Sequence, residues 1–321
     1  MTTTETIAPA GPMKALRAHT RGGAEQLVYE DAPTPGAPQD SDVLVQVKAA
    51  AVTFDELTWD ETWQADGVDR TPIIPSHEFA GVVVAVGPEA EGVAVGDEVF
   101  GLVPFNRDGA AAQYVLAPAT SLAAKPAGVS DVVAAAAVLP ALTAMEALDE
   151  HLGLETGQRL LVRGGTGAVG SFVVQLAHGR GIRVTATVRS SSGVERAEWF
   201  GADEVLVGDE PAGVVTAGFD ASIDAAGAGT PEWLYRAVRP GGRVVTLQEP
   251  PDAQLAESLG VETRFFVVTA RAESIARLGA VLAAGDVEVP VARTYPLSEG
   301  RAAYASRGTG TPGKVVLDLT S

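Results

Sequence analysis

Short apolar stretches, separated by glycine and proline, run from Met13 to about Pro126. Pairs such as Pro35-Gly36 and Gly87-Pro88 are typical of tight turns between strands. We predict strands within the segments 43–50 (VLVQVKAA), 79–87 (FAGVVVAVG), 97–103 (DEVFGLV) and 111–118 (AAQYVLAP). The first part of the chain is therefore expected to form a small β-barrel.

The pattern changes at about Ser130, where short apolar strands begin to alternate with helical periodicity. Six strands are predicted, at 159–162, 183–188, 204–207, 221–224, 243–247 and 263–269. Strands that alternate with helices favour parallel pairing with crossover helices. The predicted class is therefore α/β, with a doubly wound, parallel six-stranded sheet of the Rossmann type. A helix at 273–284 and a last strand at 315–319 follow.

One glycine-rich segment, RLLVRGGTGAVGSFVVQLA at 159–177, indicates a binding site. Gly165, Gly167 and Gly170 have G-x-G-x-x-G spacing between a predicted strand and a predicted helix. Such glycines allow a tight turn and a close backbone approach, while the helix N-terminus offers free N–H groups to a pyrophosphate. The segment, including Thr166, Ala168 and Val169, predicts dinucleotide binding.

The second strand of the predicted sheet ends in Arg189-Ser190-Ser191-Ser192. An NAD site places an acidic residue near this point to bind the ribose hydroxyls, and none is present. A guanidinium and several hydroxyls suit a 2′-phosphate instead. The sequence therefore favours NADPH over NADH, with a solvated polar turn as the alternative.

Composition excludes several classes of function. The 321 residues suggest about two domains, and 41 Asp and Glu against 23 Lys and Arg give a formal net charge of -18. That charge disfavours nucleic acid and anionic membranes as partners. The apolar stretch 132–148 is expected to be too short to span a bilayer. The N-terminal residues lack the pattern of a signal peptide, so a cytoplasmic protein is expected.

Metal chemistry is also disfavoured by composition. The chain has no cysteine, which excludes disulfides, thiolate catalysis and zinc sites that need sulfur. Its four histidines, His19, His77, His151 and His178, include no pair at i, i+4 spacing. We therefore expect no metal.

The order of these segments resembles the medium-chain dehydrogenase/reductase superfamily, and most closely its zinc-independent quinone oxidoreductase branch. The resemblance rests on HEFAGVVVAVG, GVAVGDEVFGLV, AAAAVLPALTAMEAL, the GGTGAVG turn, FDASIDAAG, RPGGRVVTL and the closing PLSEGRAAYASRGTGTPGKVVLDL. It implies a GroES-like catalytic domain of residues 1–126 and 270–321, and a Rossmann NADP-binding domain of residues 127–269. It also implies a homodimer that pairs the last Rossmann strand.

Zinc-dependent members of this superfamily carry a cysteine where Thr53 stands here and a second ligand near Leu139 or Pro140. His77 and Glu78 remain alone, which is too few ligands for catalytic zinc. Without a Lewis acid, hydride delivery to an electron-poor C=C bond is favoured over alcohol oxidation.

The resemblance also implies further cofactor contacts, at Ala225, Ala226, Gly227, Leu247, Gln248, Phe265, Phe266, Val267 and Lys314, besides those at Arg189, Ser190 and Ser191. For the strand residues, a place in the core is the alternative, and for Lys314 a surface charge. Thr53, Thr143 and His77 are the catalytic candidates: a threonine hydroxyl or a backbone N–H would hold the developing enolate, and solvent or His77 would protonate it. A structural hydrogen bond to a neighbour is the alternative for His77. The substrate cleft is expected to be lined by Phe54, Thr58, Trp59, Trp63, Phe105 and Asn106, with packing as the alternative for the two tryptophans.

The predicted function is thus an NADPH-dependent oxidoreductase that acts on a small quinone or enone. Two alternatives stay open. One is a cofactor-binding module or sensor without redox activity, since no acid–base group stands out. The other is a tailoring enoyl reductase in a biosynthetic pathway.

Overall fold

The computed structural model describes residues 11–227, 229–309 and 312–320. Over these residues the strands are β1 Met13–Ala18, β2 Leu27–Ala32, β3 Asp42–Val52, β4 Gln64–Ala65, β5 Val68–Asp69, β6 Glu78–Val86, β7 Glu98–Leu102, β8 Tyr114–Pro118, β9 Leu122–Ala124, β10 Arg159–Arg163, β11 Arg183–Val188, β12 Glu204–Val207, β13 Phe219–Asp224, β14 Val238–Thr246, β15 Glu262–Phe265, β16 Val291–Pro296 and β17 Lys314–Asp318. The α-helices there are α1 Asp60–Trp63, α2 Asp131–Glu146, α3 Ala168–Gly179, α4 Val194–Trp199, α5 Glu232–Arg236, α6 Ala253–Leu259, α7 Ala272–Ala284 and α8 Gly300–Ala305.

The chain folds into two compact units. The described residues of Met1–Leu139 and Ala270–Ser321 form one, which we call the β unit, and Pro140–Thr269 form the other, the Rossmann unit. The first boundary between the two units, at Leu139 and Pro140, lies inside α2, whereas the sequence pattern changes before that helix begins. A helix that continues from one unit into the other leaves no break in the pattern at the division itself.

The β unit is organised around β3, a long and largely buried strand. One edge of β3 pairs antiparallel with β6. Its other edge is shared: β8 pairs with residues 42–46, and β17, from the end of the chain, pairs with residues 49–52. The sheet order over the described residues is β16-β17-β3-β6-β7-β9. Residues from both ends of the sequence therefore share the core of this unit, and the predicted strands are present.

The Rossmann unit has a described sheet of six strands in the order β12-β11-β10-β13-β14-β15, all parallel. This is the doubly wound order in which the first strand is central and the chain reverses direction beside it. Leu160, Leu161 and Val162 of β10 are fully buried, as both faces of a parallel sheet require. The predicted parallel sheet is confirmed. The strand expected at 263–269 is shorter, because β15 pairs only as far as Thr246 of β14, opposite Phe265.

The apolar segment after residue 130 is longer as a helix than the sequence analysis expected. Helix α2 runs through Pro140, and the π-helical turn Ala147–His151 extends it to 21 residues. The argument that it is too short to cross a membrane was therefore wrong. Its most apolar window is 72% buried inside the protein, as in the core helix of a soluble protein.

Candidate functional site

A tight glycine turn joins β10 to α3. Gly164 has φ +83°, which favours glycine. A Cβ on Gly170 would lie 2.1 Å from the carbonyl oxygen of Gly164, and one on Gly165 would lie 2.6 Å from the Cβ of Ala186. Gly167 is the N-cap residue of α3, where a Cβ would lie 3.2 Å from the same carbonyl oxygen. Because no side chain fits at Gly165 or Gly170, the turn packs closely on the helix N-terminus, whose free N–H groups suit a phosphate. The other predicted residues of this turn, Thr166, Ala168 and Val169, are half-buried.

The turn that follows β13 is held by Arg163, which the sequence analysis missed. Its Nη1 donates to the two carboxylate oxygens of Asp224 at 3.1 and 2.9 Å and to the carbonyl of Gly229 at 2.8 Å. The two side chains are 15% and 4% exposed. This ion pair fixes the backbone of the predicted contact residues Ala225, Ala226 and Gly227. The signal in the sequence was that Arg163 ends β10 and Asp224 ends β13, and these two strands pair in the sheet.

The residues after β11 lie exposed at the end of that strand. Arg189, Ser190 and Ser191 are all exposed, and Ser190 and Ser192 hydrogen-bond through their hydroxyls at 2.8 Å. In the part of the chain that the structure describes, the Arg189 guanidinium forms no hydrogen bond or ion pair. A cation without a protein partner is available to bind an anion.

The remaining predicted residues of the Rossmann unit differ in exposure. Gln248 is exposed and packs near Gly227, where an added Cβ would lie 3.3 Å from its Cγ, while Leu247 is half-buried. Phe265 and Val267 are 41% and 62% exposed, whereas Phe266 packs on His151 with 4.3 Å between ring centroids. Thr143 is buried. The residues that the resemblance assigned to one cofactor site therefore range from buried to exposed.

A three-residue polar cluster lies inside the β unit. The ammonium of Lys314 is 2.6 Å from Oε2 of Glu78 and 2.9 Å from Oγ1 of Thr53. The Thr53 hydroxyl donates to the same Glu78 oxygen at 2.8 Å, and the backbone N–H of Leu139 donates to Oε1 at 3.3 Å. Lys314 is buried, so its interpretation as a surface charge was wrong. The cluster joins Thr53, Glu78 and the segment near Leu139, which the sequence analysis compared with metal-ligand positions.

Three predicted site residues form a row of rings in the β unit. Phe105 packs edge-to-face against Trp59 and against His77, with 5.1 Å between centroids in both pairs. Trp63 is different: it is 3% exposed, and its indole N–H donates to the Leu57 carbonyl at 2.9 Å. These contacts favour the packing alternative for Trp63. Of the other predicted residues, Phe54 is half-buried, and Thr58 and Asn106 are exposed.

Glu56 is a buried carboxyl that the sequence analysis did not select. It is fully buried, and it accepts hydrogen bonds from the Tyr304 hydroxyl and from the backbone N–H of Ser76. Burial raises the pKa of Glu56 to about 7, although the hydrogen bonds from Tyr304 and Ser76 act to lower it. Tyr304 is 248 positions away, so no local motif could reveal the group.

His77 lies beside Glu56, with 3.6 Å between Nε2 and Oε2. Its side chain is 2% exposed, and neither ring nitrogen has a hydrogen-bond partner among the described residues. Burial, together with the charge of Arg70, lowers the pKa of His77 to about 3. The ring is therefore neutral at physiological pH.

A further group in the Rossmann unit has metal-ligand chemistry. The ligand atoms of Glu146, Glu150 and His151 lie within 4.8 Å of one another across the π-helical turn, in the described part of the chain. His151 Nε2 lies 3.5 Å from a Glu146 carboxylate oxygen.

Comparison with known proteins agrees with this architecture. The GroES-like domain of alcohol dehydrogenases matches residues 39–127, and the zinc-binding dehydrogenase family matches residues 200–317. A 2-methylene-furan-3-one reductase of Solanum lycopersicum is 30% identical over 98% of this chain and 81% of its own length. The chloroplast envelope quinone oxidoreductase homolog of Arabidopsis thaliana is 26% identical over 92% of this chain and 95% of its own length. The structure of mycobacterial Rv1454c complexed with NADPH superposes with a TM-score of 0.83 at 28% identity, over 95% and 99% of the two chains.

A GroES-like unit joined to a Rossmann unit, in a chain similar to reductases and quinone oxidoreductases, defines an oxidoreductase. The chain belongs to the medium-chain dehydrogenase/reductase superfamily, which confirms the predicted family and fold class.

Proposed function

We propose that this oxidoreductase uses NADPH to reduce an electron-poor C=C bond in a quinone or an α,β-unsaturated carbonyl compound. The observation that carries the proposal is the end of β11, where Arg189, which has no partner among the described residues, follows the strand beside the glycine turn together with Ser190 and Ser191. The tomato relative is named as a reductase, the Arabidopsis relative as a quinone oxidoreductase homolog, and the mycobacterial protein is complexed with NADPH.

The glycine turn has the form that dinucleotide binding requires, because Gly165 and Gly170 let the turn pack closely on the N-terminus of α3, where backbone N–H groups stay free. Bound NADPH supplies the hydride. We propose that the α3 N-terminus holds its pyrophosphate and that Arg189, Ser190 and Ser191 bind the 2′-phosphate. Lys314 stays a proposed cofactor contact, and its ammonium has three N–H groups, of which Glu78 and Thr53 take two. The backbone turn fixed by Arg163 edges the nicotinamide.

On the substrate side, Trp59 and Phe105 offer aromatic faces to a flat acceptor, and Phe54, Thr58 and Asn106 border them. We propose that the Thr53 hydroxyl stabilises the developing enolate. In the structure the Thr53 O–H donates to Oε2 of Glu78, so it must turn away from that oxygen to reach the enolate. The Lys314 ammonium, which donates to both Thr53 and Glu78, keeps Glu78 paired when it does. Thr143 is the second hydroxyl candidate, and solvent or His77 would protonate the enolate carbon next to the carbonyl group.

The donor set argues against zinc, which the family name would suggest. Structural and catalytic zinc sites need at least three sulfur, nitrogen or carboxylate ligands. Here Thr53 stands at the expected cysteine position, and both oxygens of Glu78 are engaged by other groups. A lysine ammonium within 3 Å of Glu78 and Thr53 would also repel a second cation. The residues do not fit zinc, and we propose a zinc-independent enzyme.

We further propose a homodimer. Strand β15 lies at an edge of the described six-stranded sheet, and Phe265 and Val267 beside it are exposed. An unpaired edge with exposed apolar residues favours pairing with a second copy. Light scattering tests this directly. A cytoplasmic location, and the exclusion of membrane and nucleic acid as partners, stay predictions from composition.

The two alternatives make different predictions in one experiment. Purified protein is given NADPH and a panel of quinones, small enones and enoyl thioesters, and absorbance at the reduced-nicotinamide band is followed. We expect acceptor-dependent loss of absorbance with quinones or enones. Tight NADPH binding with no loss across the panel would favour the non-redox module, and activity confined to large enoyl thioesters would favour the tailoring reductase.

A further inference from the structure

A cavity of about 570 Å³ opens on the surface of the β unit, and all of its described lining residues lie between Met13 and Leu116. Its volume is in the range of sites that hold a small organic ligand, roughly 300–1,000 Å³. None of the residues proposed above for the coenzyme or the acceptor is among the described residues that line it. The cavity is therefore separate from the proposed active site, and its own lining decides what it binds.

One part of this lining is apolar. Met13 and Ile74 are buried beneath the cavity, and Pro33, Pro35 and Leu116 lie beside them. Apolar surface of this kind favours a ligand whose skeleton displaces water from it. These residues come from β1, from the segments that follow β2 and β5, and from β8, so the cavity exists only in the folded chain.

Three arginines line the same cavity, and Arg70 is the most firmly held of them. Its side chain is 13% exposed. Its Nη1 donates to the carbonyl of Thr62 at 2.9 Å, and its Nη2 donates to Asp108 at 3.3 Å. The positive charge of Arg70 is thus fixed at the cavity wall before any ligand arrives.

Arg17 and Arg107 use only part of their hydrogen-bonding capacity. Among the described residues, Nη1 of Arg17 donates to Glu30 at 3.2 Å, and Nη1 of Arg107 donates to both oxygens of Asp42 at 2.9 Å. The other guanidinium nitrogens of these two arginines form no hydrogen bond with that part of the chain. Since each guanidinium has five N–H groups, both arginines keep donors for a ligand.

The charges of the lining favour an anion. Its three guanidinium groups face two carboxylates, Asp42 and Asp108, each of which already accepts hydrogen bonds from an arginine. This local excess of positive charge lies in a chain whose formal net charge is -18. A guanidinium binds a carboxylate through two parallel N–H groups, which gives such a contact both strength and direction.

We propose that this cavity is a second ligand site and that it binds a small monocarboxylate with an apolar skeleton. The carboxylate accepts hydrogen bonds from the N–H groups that Arg17 and Arg107 leave free, and the skeleton lies against Met13, Ile74 and Leu116. Inorganic phosphate meets only the first requirement, and a neutral apolar molecule meets only the second. This inference goes beyond the proposed function, because binding here needs neither a coenzyme nor a reaction.

Octanoate is the probe, and isothermal titration calorimetry of the full chain measures its Kd. We expect wild type to bind octanoate with a Kd of about 1 mM or lower. Hexanoate should bind at least about fivefold more weakly, because two fewer CH₂ groups are buried. Octan-1-ol and inorganic phosphate should each bind at least about tenfold more weakly than octanoate. Saturating NADPH should leave the Kd for octanoate unchanged.

Two variants test the cavity itself. Arg107→Gln removes one guanidinium and leaves Asp42 without its partner, so octanoate should bind at least about tenfold more weakly. Leu116→Trp fills the cavity and should cause a similar loss while all three arginines remain. Arg293→Gln, at an exposed arginine of the same unit that does not line the cavity, is the control and should bind octanoate like wild type.

Several results would overturn the site. They are the absence of octanoate binding to wild type at millimolar concentrations, equal affinity of wild type and Arg107→Gln, octan-1-ol binding as tightly as octanoate, and displacement of octanoate by NADPH. If circular dichroism shows that Arg107→Gln does not fold, Leu116→Trp decides, and wild-type affinity in that variant would exclude the cavity.

Discussion

The ammonium of Lys314 lies 2.6 Å from Oε2 of Glu78, although the two residues are 236 positions apart. Their side chains are 7% and 1% exposed. Strand β17 brings the lysine from the end of the chain onto β3, and β6 brings the glutamate to the other edge of β3. The ion pair therefore ties the closing strand to the centre of the β unit.

Lys314→Met is expected to destabilise the protein by about 3–5 kcal/mol, because it leaves Glu78 buried without its counter-charge. Chemical denaturation measures this loss. Lys14→Met is the control, since the Lys14–Asp31 pair is exposed and solvent screening should make its contribution to stability small. Adding Glu78→Gln to Lys314→Met should restore part of the lost stability, and a double variant no more stable than the single one would contradict this explanation.

Gly170→Ala is expected to weaken NADPH binding by at least about tenfold, because the new Cβ would lie 2.1 Å from a backbone oxygen and the phosphate-binding turn must move. Fluorescence titration with NADPH measures the change in Kd. Gly179→Ala lies in the same helix with no atom within 4 Å of the added Cβ, so it should bind like wild type. Equal affinities for the two variants would remove the turn from the site.

Arg189→Ala is expected to lower NADPH affinity by roughly 10–100-fold and leave NADH affinity nearly unchanged, since one charge-assisted contact with the 2′-phosphate is lost. The Kd ratio of the two coenzymes checks this. Arg183→Ala removes an exposed arginine from the other end of β11 and serves as the control. An unchanged ratio in Arg189→Ala would exclude the 2′-phosphate role.

Trp59→Ala is expected to raise KM for a flat quinone by about fivefold or more, because an aromatic face next to Phe105 is lost. KM for NADPH should not change. Trp199→Ala, at a tryptophan that is 75% exposed in the Rossmann unit, should leave both constants unchanged. Similar KM values for Trp59→Ala and wild type would place the acceptor elsewhere.

Glu56→Gln is expected to change how stability depends on pH. Burial raises the pKa of Glu56 from 4.5 to about 7, so the folded state holds a proton in this range that the unfolded state loses. The stability that this proton contributes is present below pH 4.5 and is lost as the pH rises to about 7. The variant should therefore gain on wild type by up to about 1.4 kcal/mol per pH unit across the window.

Denaturant unfolding of both proteins between these pH values tests the prediction. His77 has the opposite effect, since its lowered pKa costs stability as the pH falls below 6.5. A difference between the two proteins that stays flat with pH would show that Glu56 ionises normally.

The parts of the fold and site that follow from local sequence were predictable. The alternation of strands and helices gave the parallel sheet, and the glycine spacing marked a turn that excludes side chains at Gly165 and Gly170. The length of α2 and the end of β15 could not be predicted from local sequence, because α2 continues through Pro140 and β15 ends where its partner strand ends. Those limits depend on neighbours in space.

The sequence by itself determined the fold class and the tight glycine turn between β10 and α3, because both depend on residue types within a few positions of one another, and its composition alone excluded thiolate ligands. Tertiary structure alone decided that Lys314 meets Glu78 and Thr53, that Tyr304 and Ser76 enclose Glu56, and that Arg163 holds the turn after Asp224. Burial also decided the charge states of Glu56 and His77. Ionisation and long-range pairing depend on the surroundings that the folded chain creates, and no local pattern encodes them.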